Sequence, residues 1–108
     1  MKEKARSHLS WKLIKRRKKL DLINQELLTL LNQRLRITLE IGKVKKEMGK
    51  KIYDAEREKE ILDRLKRKNR GPVEEEDLRK IFTAIMKVCR QSQIKYVGRN
   101  VPRPAEEG

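Results

Sequence analysis

The chain has 108 residues, room for one small domain. With 36% hydrophobic and 43% charged residues it has too little apolar material for a self-sufficient monomeric core, and no apolar run approaches the ~18–20 residues of a membrane span. A net charge of +14 points to anionic partners, and a single cysteine, Cys89, excludes an internal disulfide.

Residues 1–10 are polar and lack periodicity, and read as a flexible basic arm. They carry no apolar h-region and no small-residue cleavage site, so a soluble cytoplasmic location is the expectation. The basic excess is concentrated here: residues 1–20 hold nine Lys/Arg against one Glu. From about Ser10 to Met48 there is no proline, and the one glycine is Gly42. Leu13, Leu20, Leu27, Leu31, Ile41 and Met48 recur at helical spacing, which predicts one amphipathic helix of nearly 40 residues, ~55–60 Å long. Such a rod is longer than a compact domain of this size is wide, so it must either protrude or lie along a second chain.

Gly49 ends that helix. Asp54 is an N-cap, and Glu56 and Glu58 fall where a helix dipole favours anions, so a short second helix starts there. Ile61, Leu62 and Leu65 give it an apolar face, and Asn69-Arg70-Gly71-Pro72 stops it. A third helix starts near residues 73–75 and runs to about Tyr96, with Leu78, Ile81, Phe82, Ile85, Cys89 and Ser92 or Gln93 facing inward. Residues 97–108 hold glycines and prolines and read as a disordered tail or linker stub. The fold class is therefore all-α: one very long, one short and one medium helix, forming an intertwined homodimer, with residues 11–96 as the domain.

The long helix places Arg17, Arg34 and Lys45 on its inner stripe, where an unpartnered cation is costly. Arg34 and Lys45 are three turns apart on nearly the same face, ~16 Å along the axis, so two long side chains can converge on one small ligand. Arg17 lies ~25 Å from Arg34 and is rotated ~100° away, so it serves the site of a partner chain if it serves one at all. With the Asp54-to-Glu58 cluster and Gln93, these cations suit a small, oxygen-rich dianion. One histidine and one cysteine leave little for metal ligation or histidine acid–base chemistry, and neither a metal nor a cofactor is expected.

From about Ile14 to Gln93 the sequence resembles the AroQ-type, all-helical chorismate mutases. The likeness rests on Leu20-Asp21-Leu22-Ile23-Asn24-Gln25-Glu26-Leu27-Leu28, Leu31-Asn32-Gln33-Arg34, Gly42-Lys43-Val44-Lys45, Asp54-Ala55-Glu56-Arg57-Glu58 and Cys89-Arg90-Gln91-Ser92-Gln93, in order and at the family's spacing. The resemblance implies conversion of chorismate to prephenate for aromatic amino-acid synthesis. Arg34 and the partner subunit's Arg17 would bind the two substrate carboxylates. Lys45 and Gln93 would hydrogen-bond the ether oxygen. Glu58, with backbone near Asp54, would hold the ring hydroxyl, and Arg57 would support the carboxylates. Cys89 stands where many relatives carry a serine that contacts a carboxylate, and a thiol is the weaker donor.

Two alternatives stand beside this reading. An isochorismate pyruvate-lyase would use much the same cation clamp, although Glu58 suits the ring hydroxyl of chorismate. A basic helical nucleic-acid-binding protein would account for the charge, but no recognised motif is present and 4% aromatics offer few stacking platforms. The chain also suits a domain of a bifunctional enzyme.

Overall fold

A computed structural model describes residues 2–98. Helix α1 spans Lys2–Glu47, α2 Ala55–Lys68 and α3 Glu75–Gln93, and a π-helical turn, Ile94–Gly98, follows α3 directly. No strand occurs among the described residues, so the fold is the all-α, three-helix arrangement that the periodicity predicts. No helix among them is long and apolar enough to cross a membrane. The chain divides into two compact units, Met1–Arg34 and Leu35–Gly108, and α1 runs through the division.

In the first unit α1 begins at Lys2, eight residues before the expected start near Ser10, so the presumed arm is helical. Packing does not dictate this, because residues 2–10 have no apolar stripe. Helix propensity does: Lys, Arg, Glu and Ala are strong formers, no proline or glycine interrupts them, and Glu3 sits in the first turn. Every residue from 2 to 33 is exposed, and Arg34 is half-buried. The stripe expected to face a core, Leu13, Leu20, Leu27 and Leu31, is open, at 41–54% exposure. A lone helix has no second surface with which to cover it.

The second unit holds the buried residues. α1 ends in a Schellman motif: Gly49 takes φ 68°, Lys50 N donates to the Lys45 carbonyl at 2.8 Å, and Gly49 N donates to the Lys46 carbonyl at 3.1 Å. The left-handed turn is why glycine stands at 49. The Asp54 carboxylate caps α2 by accepting from Arg57 N at 3.0 Å. Glu56 and Glu58 lie in the first turn of α2, and Lys66, Arg67 and Lys68 in its last, both matching the helix dipole. Between α2 and α3, Asn69 Nδ2 donates to the Val73 carbonyl at 2.7 Å, and Gly71 N donates to Asn69 Oδ1 at 2.9 Å. Lys66 pairs with Glu75 across the turn at 2.8 Å, and that hydrogen bond raises the Lys66 ammonium above its usual pKa. Exposed pairs of this kind contribute little stability.

α3 buries Leu78, Met86, Cys89 and Gln93, and Val97 is buried in the π-helical turn. Ile81, expected inside, is 51% exposed, and Met86 takes the interior place. The inner face runs through Phe82, Cys89 and Gln93, and Ile81 is turned ~100° from its neighbour Phe82. The α-helix stops at Gln93 rather than Tyr96, and the wider turn carries Val97 inward. The expected tail therefore begins inside this turn, and residues 99–108 lie outside the described residues.

Candidate active site

Gln93 is the one buried polar or charged residue among those described, at 5% exposure. Its Nε2 donates to the Thr38 carbonyl of α1 at 2.6 Å. Gly42, one turn beyond Thr38, makes that approach possible: a Cβ there would lie 3.3 Å from Gln93 Cγ and 3.5 Å from Nε2. A buried amide of this kind is held by hydrogen bonds, so the Thr38 carbonyl fixes which end of the amide carries the donors. One of its two N–H groups is used, and the other remains to donate.

Lys45 lies two turns after Thr38 on the same face of α1. It is half-buried, and its Nζ donates to the Ile52 carbonyl at 2.9 Å. The same residue's main-chain carbonyl accepts from Lys50. Lys45 thus grips the loop leading to α2 twice, and its ammonium has donors to spare. The π-helical turn closes on this loop, where a Cβ at Gly98 would lie 3.0 Å from Ile52 Cδ1.

A second cluster stands at the start of α2. Glu58 Oε2 accepts from Arg90 Nη1 of α3 at 2.5 Å, with both side chains about one-quarter exposed. The Arg90 guanidinium also stacks over the Tyr53 ring, 4.6 Å from its centroid. Asp54 serves as the α2 cap. Arg57 points along the α2 surface, where it pairs with Glu60 at 3.0 Å and is half exposed. Cys89 is buried beside Arg90 in sequence and one turn before Gln93. Arg17 and Arg34 belong to the first unit, Arg17 exposed and Arg34 half-buried.

The second unit thus brings Gln93 onto the α1 face that carries Lys45, and fixes Glu58 through Arg90. It does not bring in the Arg57 guanidinium, which Glu60 holds elsewhere. Sequence reasoning gave no role to Arg90, Tyr53 or the Thr38 carbonyl. Arg90 and Glu58 are 32 residues apart, on two helices whose relative rotation no periodicity reveals. Chemically, a cation and a neutral donor on one face can stabilise an oxygen that gains negative charge, and a fixed carboxylate can accept from a hydroxyl.

The family described as chorismate mutase type II matches residues 16–94. The chain is 31% identical over 87 residues to the chorismate mutase of Methanocaldococcus jannaschii, which covers 80% of this chain and 88% of that protein. It is 32% identical over 90 residues to a bifunctional chorismate mutase/prephenate dehydratase of Aquifex aeolicus, covering 76% of this chain and 25% of that one. It thus spans about a quarter of the length of that relative and of a similarly named Neisseria gonorrhoeae protein. Among solved structures it is similar to a chorismate mutase (form II) of Thermus thermophilus, with TM-score 0.73, 39% identity, and 74% and 91% of the two chains covered. The match over residues 16–94 takes in Lys45, Glu58 and Gln93 together, and the chain belongs to the type II chorismate mutase family.

Proposed function

We propose that a cytoplasmic homodimer of this chain rearranges chorismate to prephenate for aromatic amino-acid synthesis, with each site completed by the partner subunit's Arg17. The observation that carries the reading is the buried Gln93 amide, docked on Thr38 along the face that presents Lys45. The rearrangement is unimolecular and needs no proton transfer, nucleophile or metal. What it needs is a folded enolpyruvyl side chain and positive charge at the ether oxygen in the transition state. Arg34 and the partner subunit's Arg17 clamp the two carboxylates. Lys45 and Gln93 donate to the ether oxygen, and Glu58, near the Asp54 cap, accepts from the ring hydroxyl. Arg57 supports the carboxylates after leaving Glu60, and Cys89 lines the carboxylate end.

The open stripe on α1 supports the dimer. Among the described residues Leu13, Leu20, Leu27 and Leu31 stay open, and a second copy of the same stripe would bury them. Sedimentation at micromolar protein should give a dimer, and a compact folded monomer would contradict the composite site. Incubation with chorismate and isochorismate separately decides between mutase and lyase. The mutase gives prephenate from the first and releases no pyruvate from the second.

Gly42 provides a finer test. Alanine there gains about 1 kcal/mol of helix propensity, but its Cβ falls 3.3 Å from Gln93 Cγ and displaces the amide by tenths of an ångström. Gly42→Ala should leave the melting temperature within a few degrees of wild type while kcat drops. Unchanged kcat would mean that the position of the Gln93 amide does not matter to turnover.

A further inference from the structure

We propose that Arg90 is a positioning residue for turnover: stacked on Tyr53, its guanidinium holds the Glu58 carboxylate where that carboxylate receives the substrate's ring hydroxyl. The inference rests on the role given to Glu58 above. Glu58 stands in the first turn of α2 and would otherwise swing among several rotamers toward solvent. Arg90 reaches it from α3 at 2.5 Å and is itself fixed by the Tyr53 ring at 4.6 Å. Tyr53 immediately precedes the Asp54 cap, so one side chain of α3 locks the loop, the start of α2 and Glu58 together. Arginine suits the task because its planar guanidinium can stack on a ring and hydrogen-bond a carboxylate at once, which a lysine ammonium does less well. Arg90 uses Oε2 and leaves Oε1 as the acceptor for a hydroxyl. Its charge also offsets that of Glu58, which would otherwise repel a dianionic ligand.

A double-mutant cycle on the full chain separates positioning from mere packing. The variants are Arg90→Ala, Glu58→Ala and the double replacement, with kcat and KM for chorismate and a thermal melt for each. Arg90→Ala should lower kcat/KM by about 10- to 100-fold, and by under about twofold when Glu58 is already alanine. Arg90→Lys, which keeps the charge and loses the planar stack, should fall between Arg90→Ala and wild type. If Arg90→Ala shows no cooperative melt, Arg90→Lys carries the same cycle. Equal losses in the two Glu58 backgrounds would overturn the proposal, as would wild-type kinetics in Arg90→Ala. Failure of the wild type to consume chorismate would overturn the functional reading itself, and is seen before any substitution is made.

Discussion

Gln93→Ala should lower kcat by about 10²–10³, the usual cost of one oxyanion donor, while KM changes far less. The amide is buried at 5% exposure, and its donor end is already held by the Thr38 carbonyl before substrate arrives. A preorganised donor of this kind acts mainly on the charge that develops in the transition state. A raised KM with kcat intact would make Gln93 a uniform binding residue. Gln93→Glu gives the pH signature. The neutral carboxyl has a single O–H, which can donate to the ether oxygen in place of the Thr38 carbonyl, whereas the ionised one repels that oxygen. Activity of this variant should therefore fall as pH rises through the pKa of the introduced carboxyl, while wild type, with an untitratable amide, stays flatter. Matching profiles for the two proteins would mean that residue 93 does not face the ether oxygen.

Arg17→Ala and Arg34→Ala should each abolish most activity, and mixing the two inactive proteins should restore part of it. The two residues are ~25 Å apart along α1, too far for one small ligand to meet both from one chain. A mixed dimer has one site with both arginines and one with neither. Random exchange makes half the dimers mixed, so recovery should approach about a quarter of the wild-type rate. No recovery after exchange has been verified would count against sites shared between subunits.

The features that were legible in the sequence are those decided locally. Gly49 announces a left-handed stop, Asp54 a cap, and Asn69 to Pro72 a break, and each does what its own backbone chemistry requires. The apolar stripe on α1 is legible as a pattern, and its length points to a second copy, while among the described residues nothing covers it. Ile81 is exposed and Met86 buried because an apolar stripe leaves the centre of the inner face of α3 uncertain by one residue, and one residue is ~100°. Lys45 stands out in the sequence as a cation on the inner stripe, and Gln93 through the resemblance to the family. Arg90 was missed because its meaning lies in Glu58 and Tyr53, brought to it by the packing of α3 on α2 and the loop.

The most direct measurement is the loss of chorismate absorbance with purified wild-type protein, without added metal or cofactor, and with the product identified as prephenate. The account predicts saturable turnover in proportion to dimer concentration. A folded dimer at micromolar concentration that leaves chorismate at its uncatalysed rate of decay would contradict it.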